Sequence, residues 1–133
     1  MAPANPPASA LKVGSIDHIN MSVKNLAETV TFYSKLFGFS VKKDQPDMAS
    51  QIIGNDRIKL CLYEDPNLKI EEGINHFGFY VENFAEILAV CKSLGVPVLY
   101  GGEVAWAEKT KSVYVTDPSG YTIELSDVQG GGL

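Results

Sequence analysis

Ile19, Met21 and Val23 recur at every second residue, and Phe77, Phe79 and Val81 do the same further on. Period two puts each trio on one face of a strand. His18, Asn20 and Ser22 then share the opposite face of the first strand, and His76, Gly78 and Tyr80 that of the second. A third strand pattern, Tyr121–Ser126, sets Ile123 and Leu125 against Thr122, Glu124 and Ser126. After each of the first two strands the period lengthens to that of a helix. Leu26, Val30, Tyr33 and Phe37 form one stripe, and Phe84, Leu88 and Cys91 another.

The helix starts carry the same signal, Asn25 with Glu28 and Asn83 with Glu86. Asparagine caps the first free N–H groups, and a first-turn glutamate suits the helix dipole. Each helix closes on a lysine followed by Gly38 or Gly95. Three further strands are expected after each helix. They span about Ser40–Lys43, Ala49–Ile53 and Arg57–Tyr63 in the first half, and Val98–Tyr100, Ser112–Thr116 and Tyr121–Ser126 in the second. Turns fall at Gly54-Asn55-Asp56 and Asp117-Pro-Ser-Gly120.

These halves are copies of one unit. Ile16, His18, Val23 and Asn25 align with Ile74, His76, Val81 and Asn83 at a constant offset, 16 to 74, and Ala27-Glu28 matches Ala85-Glu86. One residue of slip later, Lys35, Gly38 and Val41 match Lys92, Gly95 and Val98. The prediction is therefore α+β: two βαβββ modules, about 14–65 and 73–128, forming one domain over 14–128. Their mostly antiparallel mixed sheet is expected to be cupped, with the helices on its outer face. Residues 1–13, with three prolines and no apolar block, read as a disordered tail, and 129–133 as a flexible one.

Composition narrows the functions. The 133 residues suffice for one core. A net charge of −5 argues against nucleic acid and anionic membranes as partners. No apolar run reaches the length of a membrane span. Cys61 and Cys91 fall in a strand and a helix pattern, as free thiols of a cytoplasmic protein would.

Two histidines at equivalent repeat positions and a mid-strand glutamate on the same kind of polar face pose a choice. His18, His76 and Glu124 are either hydrogen-bonded or solvated groups, or the imidazole and carboxylate donors of a site for Fe, Mn, Ni, Co or Zn. Two histidines and one carboxylate leave coordination positions open for a reacting ligand.

At this point the chain resembles the vicinal oxygen chelate (VOC) superfamily, which includes glyoxalase I, extradiol dioxygenases, fosfomycin-resistance transferases, methylmalonyl-CoA epimerase and bleomycin-binding proteins. The matching motifs are Ile16-Asp-His18, Phe32-Tyr33, Leu36-Phe-Gly38, Ile74-Asn-His76 and Asp117-Pro-Ser-Gly-Tyr-Thr-Ile-Glu124-Leu, within about residues 14–128. The resemblance implies a metal inside the cup, one per chain, with His18, His76 and Glu124 as ligands. It also allows Glu124 to detach and act as a catalytic base. A homodimer is implied, its sites sharing His18 of one subunit with His76 and Glu124 of the other. Where several members carry a fourth ligand, this chain has Cys61 within Leu60-Cys61-Leu62. That departure counts against a standard glyoxalase I.

The resemblance thus implies a metal-dependent enzyme acting on a small molecule that chelates the metal through neighbouring oxygens. Lyase or isomerase, ring-cleaving dioxygenase and transferase chemistry all remain open. The alternative is a non-catalytic protein that sequesters a drug-like molecule, for which the single Trp106 would suit a cationic aromatic ligand. Asn20, Lys59, Tyr63, Tyr80 and Trp106 are the candidate substrate contacts. The segment Glu103–Lys111 reads as a lid or as a solvated connection.

Overall fold

In the computed structural model, residues 16, 18–70, 74, 76–107 and 110–128 are described, Trp106 and Ala107 through their backbone alone. The expectations for 1–13 and 129–133, and for the side chain of Trp106, lie outside the described residues. The first module runs β1 (Ile19–Val23), α1 (Leu26–Phe37), β2 (Ser40–Gln45), β3 (Ser50–Gly54) and β4 (Lys59–Glu64). The second runs β5 (Phe77–Tyr80), α2 (Ile87–Leu94), β6 (Val104–Ala107), β7 (Thr110–Thr116) and β8 (Thr122–Ser126). Each module folds into a four-stranded mixed sheet, ordered β1-β4-β3-β2 and β5-β8-β7-β6. In both, the first strand lies parallel to the last and the other pairs are antiparallel. This is the α+β arrangement that the repeat predicts.

The period-two alternation holds. Met21, Val23, Leu60, Leu62, Ile123 and Leu125 are buried, whereas His18, Asn20, Lys59, His76 and Tyr80 are exposed. The first helix starts as its sequence specifies: Asn25 Oδ1 accepts the Glu28 N–H at 2.8 Å. It ends at Gly38, whose left-handed backbone (φ 71°) carries no side-chain penalty. Tyr33 is fully buried on the α1 stripe.

One apolar core serves both modules. Phe37 and Phe39 meet Phe79 of β5 with ring centres 5.2 and 5.6 Å apart, edge to face. Among the described residues, hydrogen bonds that join the modules run from Tyr33 Oη–H to Asp117 Oδ2 (3.0 Å), from the Lys24 N–H to Ser119 Oγ (2.8 Å) and from Tyr121 Oη–H to the Ser22 carbonyl (3.0 Å).

The second module departs from expectation in three places. Asn83 makes no cap; a 3₁₀ turn, Phe84–Glu86, comes first, and the Asn83 side chain binds the Glu86 carboxylate instead. Beginning a turn later shifts the phase of α2. Ile87 and Cys91 are therefore the buried positions, and Leu88 of the expected stripe faces outward. The expected strand Val98–Tyr100 is not one: Val98 makes a single bridge to Val115, and Leu99–Gly101 is a 3₁₀ turn. Gly101 and Gly102 (φ 78° and 123°) turn the chain there, so the true edge strand is β6, inside the segment expected to be a lid or a solvated connection.

Candidate metal centre

Strand β8 sets the site. Glu124 lies opposite Gly78 of β5 on one side and Tyr114 of β7 on the other. Because Ile123 and Leu125 are locked into the core, Glu124 must project from the polar face. His76, just before β5, arrives on the same face: its Nε2 is 2.9 Å from Glu124 Oε1. The Ser112 hydroxyl donates to the other carboxylate oxygen, Oε2, at 2.6 Å. Glu124 is 15 % exposed and His76 38 %, so the carboxylate is the more sheltered of the pair.

Two tyrosines extend the site. The Tyr114 ring stands edge to face with His76 at 6.0 Å, and with Tyr100 at 5.3 Å. Burial pushes the Tyr114 phenol above its ordinary pKa, and the charge of Glu124 and a hydrogen bond to it add to the shift. Tyr114 therefore stays protonated as a donor. His76, Tyr100, Glu103, Val104, Ala105, Tyr114 and Thr122 line an open cleft of about 830 Å³.

The donor set suits a divalent metal. Ligand nitrogen and oxygen atoms sit about 2.0–2.2 Å from such ions, so two adjacent ligands at a right angle lie about 3 Å apart. The 2.9 Å between His76 and Glu124 matches that edge, and the Ser112 bond orients the carboxylate from outside the pair. Within the chain, His76 and Glu124 are two side chains that could each lend a donor atom. Among the described residues, no three histidine, cysteine or acidic side chains converge on one point.

The other candidates lie elsewhere. His18, Lys59 and Tyr80 line a separate hollow of about 190 Å³, with Gly78 and Phe79 of the second module on its far wall. In register, Asn20 and Ile52 flank Cys61 as Gly78 and Tyr114 flank Glu124, so Cys61 occupies the position equivalent to Glu124. Cys61 is half-buried in the first module's sheet. Tyr63, also half-buried, lies opposite Ser22 and Ser50. The backbone of Trp106 runs in β6, whose Val104 and Ala105 line the cleft.

Sequence reasoning misses Ser112, Tyr114 and Tyr100. The signal for the first two is present in the chain. Once Asp117–Gly120 is a tight turn, Tyr114 must face Glu124 and Ser112 must lie on the same side of β7. Tyr100 carries no such signal, because the pattern places it in a strand.

The chain is similar to known proteins in sequence and in fold. The chain is 28 % identical over 123 residues to the probable trivalent organoarsenical cleaving enzyme of Bacillus subtilis (strain 168), covering 84 % of this chain and 83 % of that one. It is 29 % identical over 118 residues to metallothiol transferase FosB of Staphylococcus haemolyticus (strain JCSC1435), covering 85 % and 83 %. The fosfomycin resistance protein FosX of Listeria monocytogenes shares its fold, with a TM-score of 0.75 at 21 % identity, over 92 % of this chain and 100 % of that one. Among the described residues, no helix is long and apolar enough to cross a membrane. The family model of the Glyoxalase/Bleomycin resistance protein/Dioxygenase superfamily matches residues 15–125, and the chain belongs to that superfamily.

Proposed function

We propose that the protein is a divalent-metal-dependent enzyme of the group-transfer or lyase kind, acting on a small substrate that presents neighbouring oxygens to the metal. The observation that carries this reading is the 2.9 Å approach of His76 Nε2 to Glu124 Oε1 on the wall of an open cleft. Iron, manganese, nickel, cobalt and zinc all accept such donors. The relatives named as a metallothiol transferase and an organoarsenical cleaving enzyme support transfer or cleavage chemistry. His18 of a second copy supplies the third ligand, which makes the working unit a homodimer with shared sites. When bound, the metal supplies Lewis acidity toward the substrate oxygens.

The chain's own residues do the rest. Tyr114, kept protonated, donates to an oxygen on which negative charge develops. Ser112 holds the Glu124 carboxylate in one orientation. Glu124, 2.9 Å from His76 of the cleft wall, takes the proton where the reaction requires a base. Asn20, Lys59, Tyr63, Tyr80 and Trp106 are proposed as contacts brought by the second copy's first module or by β6. Cys61 is proposed as a small neighbour of the site rather than a fourth ligand.

Elemental mass spectrometry on untagged protein tests this reading. About one equivalent of a transition metal per chain, lost in His76→Ala without loss of fold, is the expected result. No metal in either protein after reconstitution would overturn it and favour sequestration of a ligand without catalysis.

A further inference from the structure

We propose that Tyr100 is a specificity-determining residue whose ring receives the flat, non-anionic end of the ligand in the His76–Glu124 cleft. The inference rests on reading that cleft as the substrate site, and it adds the class of ligand.

Three independent observations carry it. First, Tyr100 has a left-handed backbone (φ 56°, ψ 23°), which costs a residue with a Cβ energy that glycine would not lose. Gly101 and Gly102 follow it, so a glycine-rich turn retains a tyrosine at its most strained position. Second, the ring gains little by being buried. It is 73 % exposed, a large apolar surface left at the cleft wall. Its ring contact is the edge-to-face approach to Tyr114, which leaves most of the ring open to solvent. Third, the turn is anchored: Val98 bridges to Val115 of β7, the strand that carries Ser112 and Tyr114. A strained residue that adds no core packing, fixed beside a cleft, is better explained by contact with a ligand than by folding.

The charge around the ring indicates what it contacts. Glu103 lines the cleft, and Glu124 lies 2.9 Å behind His76 of its wall. Among the described residues, no lysine or arginine lines it. Lys111 reaches Glu103 only in a loose, exposed pair at 3.7 Å. The negative face of an aromatic ring beside carboxylates attracts flat groups that are neutral or positive, and repels anions. A substrate here would present its oxygens to the metal held by His76 and Glu124 and lay a flat, uncharged or cationic portion on Tyr100.

Two probes of the same shape and opposite charge test this on the full chain after chelation: phenyltrimethylammonium and benzenesulfonate, with Kd from NMR titration. The parent should bind the cation about two- to fivefold tighter than the anion. Tyr100→Phe should bind the cation as the parent does, and Tyr100→Gly should bind it about two- to fivefold more weakly, with benzenesulfonate little changed. The melting temperature of Tyr100→Gly should equal or exceed that of the parent, because the strain is released. A structural tyrosine would show the reverse, a lower melting temperature with unchanged probe binding, and that result overturns the proposal. So does a parent that prefers benzenesulfonate. Metal content measured on the same variants separates the two readings. Tyr100→Gly should hold as much metal as the parent, so failure of His76→Ala to lose metal would count against the metal site and not against the aromatic wall.

Discussion

The Tyr33 hydroxyl donates to Asp117 Oδ2 at 3.0 Å, joining α1 of the first module to the β7–β8 turn of the second. Both residues are buried. The other carboxylate oxygen, Oδ1, accepts the backbone N–H groups of Ser119, Gly120 and Tyr121. One side chain thus shapes the turn that aligns Tyr114 with Glu124, and pins it to the opposite module. Tyr33→Phe keeps the ring packing and removes the side-chain donor. A hydrogen bond to a charged partner is worth about 1.5–3 kcal/mol, so the variant should lose about that much in urea unfolding. A loss under about 0.5 kcal/mol, on the order of a surface change, would show that the bond is incidental.

The same carboxyl makes stability depend on pH. Burial raises the Asp117 pKa above its ordinary value, against the opposing effect of its hydrogen bonds from Tyr121, Tyr33, Ser119 and Gly120. With the folded value raised, the native state keeps a proton that the unfolded chain has already released. The stability this group contributes is full below the ordinary carboxylate value and is lost as pH rises through the folded one. Asp117→Asn removes that dependence. The stability difference between parent and variant should move in favour of the variant as pH rises out of the acid range. A difference independent of pH would sink the claim. Chemical denaturation at several pH values reads it directly.

How much of this is legible in the sequence depends on which interaction decides each element. Alternation fixes the facing of Glu124, because Ile123 and Leu125 on either side must be buried. The repeat makes the two sheets equivalent, and Asn25 with Gly38 bounds α1. Helix α2 breaks the analogy because Asn83 finds a side-chain partner in Glu86 rather than a backbone N–H, which no periodicity reveals. Val98–Tyr100 reads as a strand, but two glycines in positive φ follow and end it before a ladder can form. Within the site, His76 and Glu124 are readable from pattern. Tyr100 is not, since its place depends on a strained turn.

Ser112 is predicted to act through Glu124. Its hydroxyl holds Oε2 at 2.6 Å from a fully buried position on β7. Losing an outer partner of a metal ligand typically costs about 10- to 100-fold in affinity. Ser112→Ala should weaken metal binding by that factor, and Ser112→Thr should restore much of it. Equal affinity in all three proteins would mean that Glu124 is oriented by other contacts.

Gly78 keeps the space beside Glu124 open. A Cβ added there would sit 3.2 Å from the Glu124 carbonyl oxygen and 3.6 Å from its Cβ. Alanine needs only a small shift. The branched side chain of Gly78→Val would crowd the carboxylate on the adjacent strand. Metal affinity should fall at least about tenfold in Gly78→Val, with circular dichroism unchanged. A valine variant that binds metal as the parent does would show that Glu124 has room to spare.

The last prediction concerns where the third ligand comes from. His18 lines a different hollow from the cleft that holds His76. If sites are shared across a homodimer, His18→Ala and His76→Ala chains each fail alone for different reasons. Co-expressed with two different tags and purified through both, the mixed dimer should regain one complete site. That site draws His18 from the His76→Ala chain, and His76 with Glu124 from the His18→Ala chain. Metal content should therefore return to about half the parent's value per dimer. If each chain instead closed its own site, every site in the mixed dimer would carry one lesion. No metal would return, and the shared arrangement would be refuted.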